Sequence, residues 1–211
     1  MPANAAIKFH PGAHTGGSGP IIGRLRAGSG FVNGFLEHAD TESFYVHAEL
    51  DAHMTEFRHL AAARDPKRRP VHSLSSSGLA VAGTLMLPDP ALGKAARADR
   101  RNDPRRYSLC GVTHTLSSKS AIRAVGELLT TPVQPWDALV CTSQSARAVV
   151  VKIIEAQAER LASRTDAPPR PARCNCPSFR SASTPRPTPP IHRPGPGSGH
   201  ESALRRTTSS S

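Results

Sequence analysis

The residues best equipped for chemistry stand in three places. The run GVTHTLSS, Gly111 to Ser118, sets His114 between Thr113 and Thr115. A histidine can hold or pass a proton near neutral pH, and its hydroxyl neighbours can orient a polar ligand. Either the imidazole or the backbone carbonyl of His114 could face a ligand crevice, and a purely structural histidine has the same spacing. A second run, Cys141 to Ser143, carries Ser143 just past another apolar segment. The third is HPGAHTGGSGP, His10 to Pro20. Its Gly16, Gly17 and Gly19 could let backbone amides approach an anion, because glycine has no Cβ and takes positive φ. The spacing GGSGPIIG is neither G-x-G-x-x-G nor a P-loop ending in Gly-Lys-Ser/Thr, so this loop is an anion cradle or simply a mobile connection.

Other groupings fail on spacing. His10 and His14 are four apart, as helical metal ligands would be, but Pro11 and Gly12 between them argue against a helix there. Cys174 and Cys176, with His192 and His200, suggest zinc, yet C-x-C lacks the two to four intervening residues of ordinary fingers. The expectation is no metal site. No Ser-His-Asp set or carboxylate pair can be argued, and Asp137 and Glu127 read as surface groups as readily as catalytic ones.

The elements that must position these residues follow a strand, loop, helix rhythm. Tyr107–Val112 and Ala138–Thr142 are short apolar runs, each followed by small polar residues and then a helical pattern. Ser117 or Ser118 caps a helix with Ile122, Val125, Leu128 and Leu129 on one face, ended by Pro132 and Pro135. Upstream, strands are expected at Ile7–His10, Phe44–Ala48, Val71–Leu74 and Thr84–Leu87. Helical spacing covers Ile21–Ala39 but is interrupted by Gly28, Gly30 and Gly34, which predicts loop first and helix second. Met54–Arg64 is a helix with Phe57, Leu60 and Ala61 inward, followed by a turn from Asp65 to Pro70. Ala91–Arg101 is loop or solvated helix, and Ser145–Arg164 is a helix with Val149, Val150, Ile153, Ile154 and Leu161 on one face. Alternation throughout predicts an α/β class with a mostly parallel sheet flanked by helices. His114, Thr113, Thr115 and Ser143 then fall at strand carboxyl ends, the edge where open α/β sheets bind ligands.

Composition limits the rest. With 211 residues, 37% of them apolar, the chain has material for one core. The net charge of +11 is uneven: residues 168–211 hold seven Arg and one Glu, and ten of the twenty Pro, with Phe179 their single aromatic. Such a segment cannot repay chain entropy by burial, so it is expected to be disordered, with a domain at 1–167. Its charge invites a nucleic-acid reading, but without interleaved aromatics it lacks a stacking platform, and the sequence argues against nucleic acid as a partner. No run is long and apolar enough to span a membrane, Met1–Lys8 lacks a signal peptide's apolar core, and the four cysteines form no disulfide framework. The expected location is cytoplasmic, with Cys110 and Cys141 as free thiols in strands.

The segments GVTHTLSS, LLTTPVQPWDALVCTS (Leu128 to Ser143) and HPGAHTGGSGP resemble the amino-terminal domain of bacterial retaining glycosyltransferases of the two-Rossmann-domain (GT-B) fold, the family called group 1 or family four. The likeness covers about the first four-fifths of the chain. It implies a Rossmann-like half of a GT-B fold and transfer of a sugar from a nucleotide-diphosphate sugar to an acceptor held by this domain, with no other cofactor. It further implies that Gly16, Gly17 and Gly19 lie near donor and acceptor, with Thr113, Thr115 and Ser143, and that His114 contacts the donor sugar in the catalytic centre.

In the resembled family the helix corresponding to Ser145–Arg164 leads into a linker strand of the type PVIPLGVD and then a donor-binding second domain. Here composition changes after Arg173 to CNCPSFRSASTP. Back-translated with mostly G/C-ending codons and read two bases later, those residues permit QLPVIPLGVDT, and GHESALRRTTSSS likewise permits PRIGAPPDDVVV. The expectation is a frameshifted, truncated transferase, inactive alone and prone to self-associate through an uncovered domain face. Two other classes compete: a non-enzymatic α/β binding module, and a basic nucleic-acid-binding protein acting through its tail.

Overall fold

The computed structural model describes residues 5–15, 23–100, 103–114, 116–165 and 175–177. The boundary expected at 167, and the tail beyond it apart from Asn175–Pro177, lie outside the described residues, as do Cys174, His192 and His200.

Among the described residues there are six strands: β1 (Ala6–Lys8), β2 (Phe44–His47), β3 (Val71–Ser73), β4 (Thr84–Met86), β5 (Ser108–Thr113) and β6 (Ala138–Cys141). All neighbouring pairs are parallel, in the order β3-β2-β1-β4-β5-β6. The protein is therefore α/β, with the strand order of a doubly wound sheet. Beyond β6 the chain returns briefly: Asn175 forms a parallel bridge with Ala138, and the carbonyls of Asn175 and Pro177 accept from the amides of Leu139 and Cys141, each at 2.8 Å.

Among the described residues six α-helices connect and cover the strands: α1 (Pro11–His14), α2 (Gly23–His38), α3 (Asp51–Arg64), α4 (Leu92–Asp99), α5 (Lys119–Gly126) and α6 (Gln144–Thr165). Strand residues alternate between two cores, as period-two side chains must. Ile7, Phe44 and Val46 pack with Val32 and Leu36 of α2 and Met54 and Phe57 of α3. Ala6, Leu85, Leu109 and Leu139 join Leu92, Val125 and Val150 in the other. Phe9, Phe44 and Phe57 are fully buried, each contributing about 1.5–3 kcal/mol of transfer free energy.

Three expectations are corrected. The glycines of α2 do not break it: the helix runs unbroken from Gly23, because Gly28 faces the α1 backbone, where a Cβ would sit 1.9 Å from the Ala13 carbonyl oxygen. Close packing between α1 and α2 offsets the helix cost of glycine, about 1 kcal/mol. The charged stretch after β4 is not a solvated helix. Leu92, Ala95 and Ala96 of α4 are buried, a core stripe built largely from alanine. Finally, Pro11 and Gly12 do not prevent a helix. Proline pre-sets the first turn of α1, and His10 caps it by accepting from the Gly12 amide at 3.1 Å.

The stripes expected on α5 and α6 are also divided. Val125, Leu128 and Val150 are buried, whereas Ile122 and Val149 remain 43% and 42% exposed. Successive helical residues point about 100° apart, so Val149 and Val150 cannot share one direction.

Two buried ion pairs tie connections to this framework. Arg69 meets Asp65 at 3.0 Å, reaches the carbonyls of Leu36 and Ala39 at the end of α2, and lies 4.2 Å over the Phe44 ring. Asp137, expected as a surface or a catalytic carboxylate, is instead fully buried and structural. It pairs with Arg100 and accepts from the amides of Leu109 and Gln134, each at 2.8 Å.

Candidate functional site

The winding of the sheet reverses between β1 and β4, which are hydrogen-bonded neighbours although β2 and β3 intervene in sequence. Chain leaving these two strands at their carboxyl ends diverges, and a crevice opens there. The residues entering it are His10, Gly12 and Ala13 after β1, Pro88 to Ala91 after β4, and His114 after β5.

His114 lines a cavity of about 150 Å³ together with Asp89, Pro90, Ser118, Ser120 and Ala121. Its Nε2 is buried without a hydrogen-bond partner among the described residues. Burial lowers the pKa of the ring from its ordinary value, against a smaller upward pull from the Asp89 carboxylate. A neutral imidazole follows at neutral pH, suited to exchanging a hydrogen bond with a hydroxyl rather than neutralising a phosphate. Below the ring, Ser118 caps α5 by accepting from the Ala121 amide at 3.2 Å.

Asp89 reaches this wall because β5 carries glycine opposite it. A Cβ on Gly111 would lie 2.7 Å from the Asp89 carbonyl oxygen and 2.6 Å from Leu92. Asp89 Oδ1 accepts from the Ala91 amide at 2.8 Å, fixing the turn into α4. Sequence reasoning missed Asp89, although its position directly after an apolar strand is the same signal that singled out His114.

His14, the last residue of α1, is almost wholly buried, stacked on Phe9 with ring centroids 5.1 Å apart. Its Nδ1 lies 3.1 Å from the His10 carbonyl. Desolvation lowers its pKa from 6.5 to about 4, with the His10 carbonyl pulling back and His114 and His10 adding repulsion. The ring is thus a neutral structural post under the crevice. Thr15 anchors the end of α1 by donating to Glu56 of α3. Among the described residues no three His, Cys, Asp or Glu side chains are grouped to hold a metal ion.

The other expected site residues divide as follows. Gly16, Gly17, Gly19 and Thr115 lie outside the described residues. Thr113 is buried, and its hydroxyl accepts from the Thr142 amide at 3.2 Å, joining the ends of β5 and β6. Ser143 is exposed at the start of α6 and accepts from the Ala146 amide at 3.0 Å, an N-cap. Both expected thiols are free; Cys141 is buried, its pKa raised to about 11 mainly by desolvation.

Fold and site together define an α/β protein with a polar crevice at the carboxyl edge of a parallel sheet. No family model matches the chain, and the searches of curated proteins and of solved structures gave no match. Among the described residues no helix is long and apolar enough to cross a membrane.

Proposed function

We propose that this domain is the acceptor-side half of a retaining glycosyltransferase that uses a nucleotide-diphosphate sugar. The observation that carries the reading is His114, a neutral imidazole with a buried, unpartnered Nε2 in a small cavity at the carboxyl edge of the sheet, beside the β1–β4 reversal. Such a ring offers one hydrogen bond to a sugar hydroxyl at the edge where ligands of doubly wound sheets bind. In the transfer, the bond from the anomeric carbon to the diphosphate oxygen breaks and a bond to the acceptor oxygen forms. The acceptor's proton leaves with the nucleoside diphosphate. His114 orients the donor sugar, and a second domain, encoded in the shifted frame, holds the diphosphate.

The test begins with the gene, read in all three frames from the codon of Ala167 onward. A second nucleotide-binding domain in the shifted frame is expected. The frame-restored protein should release nucleoside diphosphate from a nucleotide sugar, and H114A should lower kcat by about tenfold to a hundredfold, the loss of one hydrogen bond used in the transition state. The 211-residue chain should give no turnover. Turnover by that chain, or no such domain in any frame, overturns the proposal. Ligand-dependent melting without turnover in either protein would favour a binding module instead.

A further inference from the structure

A second, wider cleft of about 970 Å³ opens on the other side of Asp89, across the carboxyl ends of β1, β2 and β4. We infer that it seats a neutral oligosaccharide; as the acceptor, this names the substrate class of the reading above and rests on it only for the word acceptor.

Charge, surface and size of the cleft each favour such an occupant. Four charged side chains line the cleft, two of each sign: Lys8, Lys94, Glu49 and Asp89. Lys8 and Glu49 are paired at 3.3 Å, and that contact lowers the Glu49 pKa, so the carboxylate is ionised at neutral pH. With two carboxylates beside two cations, the lining gives a diphosphate or an anionic lipid headgroup little net attraction. Alternating donors and acceptors are what a row of hydroxyls requires, since each sugar hydroxyl gives one hydrogen bond and takes others. Asp89 Oδ1 serves the Ala91 amide, and its second oxygen remains for a ligand.

Between the charges the walls are small and flat, with Ala13, Ala48, Ala95 and Pro88. These suit the C–H faces of pyranose rings. Among the described residues the only aromatic rings lining the cleft are the imidazoles of His10 and His47, with no Phe, Tyr or Trp to stack a nucleobase. The volume stands at the upper end of ordinary ligand pockets, about 300–1,000 Å³, room for a short chain of sugars rather than one small molecule. Because Asp89 lines both cavities, an occupant of the wide cleft would end beside the cavity of His114.

The test uses the full chain on an array of neutral and acidic oligosaccharides, followed by calorimetric titration with the strongest neutral glycan. Vesicles of phosphatidylglycerol and inorganic phosphate serve as anionic probes. Neutral glycans should bind, with little dependence on salt. D89N and E49Q should each weaken binding about tenfold, one charge-assisted hydrogen bond. Both positions are exposed, so the variants should retain the parent melting temperature. Binding only to acidic glycans, phosphate or vesicles overturns the inference, as does neutral binding that both variants leave unchanged, or none at all. Neutral binding in a protein whose frame-restored form has no transferase activity would keep the cleft and remove the transferase reading. Transfer to a phosphate-bearing acceptor alone would do the reverse.

Discussion

The guanidinium of Arg100 meets the carboxylate of Asp137 at 2.5 Å, with the side chains 1% and 0% exposed. The pair joins the end of α4 to the starts of β5 and β6, because Arg100 also donates to the Tyr107 carbonyl and Asp137 accepts from the Leu109 amide. Removing one partner leaves a buried charge unpaired, which costs about 3–5 kcal/mol. D137N should therefore lower the urea midpoint severely, and R100M should do so less, since Asp137 keeps its two backbone donors. In the double variant the losses should fall short of their sum by more than about 1 kcal/mol. Strict additivity would mean that the two side chains do not act as a unit.

Three glycines of α2 should respond in opposite directions to alanine. At Gly28 the added Cβ meets the Ala13 carbonyl, so α1 and α2 must separate, and overpacking of this kind costs about 1–3 kcal/mol. Gly30 and Gly34 have nothing within 4 Å of a built Cβ. There, G30A and G34A should each stabilise by about 0.4–1 kcal/mol through the unfolded chain. Chemical denaturation of the three variants separates these outcomes, and a neutral G28A would contradict the close packing of α1 on α2.

Ser118 and Ser143 both accept from an amide three residues ahead, at 3.2 and 3.0 Å. Alanine at either position should cost about 1 kcal/mol, the ordinary value of a lost cap. The two differ in surroundings, since Ser118 lines the His114 cavity with Ser120. Under the proposed transferase function, S118A in a frame-restored protein should raise KM for the nucleotide sugar, whereas S143A should change stability alone. A KM effect confined to S143A would reverse that assignment.

The sheet was legible in the sequence because parallel strands buried on both faces are short apolar runs, and Leu109, Val112 and Leu139 stand inside such runs. The capping serine of α5 was legible too, its role depending only on neighbours in the chain. What escaped depended on distant partners. Asp137 gives no local sign that Arg100, far from it in sequence, neutralises it. Gly28 reads as a helix breaker until Ala13 is seen against it, and α4 reads as solvated because alanines carry its buried face. At the site, His114 was found by its place after a strand. Asp89 occupies an equivalent place, but it leads into the charged stretch whose sequence reads as loop or solvated helix.

His14 sets a pH dependence whose direction follows from its burial. Its pKa falls from 6.5 in an exposed state to about 4 in the fold. Between those values the unfolded chain binds a proton that the folded chain refuses, so stability is full above the unfolded pKa and declines as pH drops through the window. The decline saturates near pH 4 and amounts to on the order of 3 kcal/mol. His114, also lowered by burial, contributes in the same direction, while the Asp89 carboxylate opposes protonation of neither ring and pulls both pKa values upward. Asp65 acts in a separate window. Burial raises its pKa, but hydrogen bonds from Arg69 and Lys67 outweigh it, so its stabilisation is lost only as pH falls through and below the ordinary carboxylate range. H14F keeps the stack on Phe9 and removes the titration, at the cost of the His10 hydrogen bond. Urea unfolding at pH values from about 4 to about 8 should give H14F a flatter profile than the parent, with a residual slope that H114Q reduces further. Parallel profiles for parent and H14F would mean that His14 does not titrate differently in the fold.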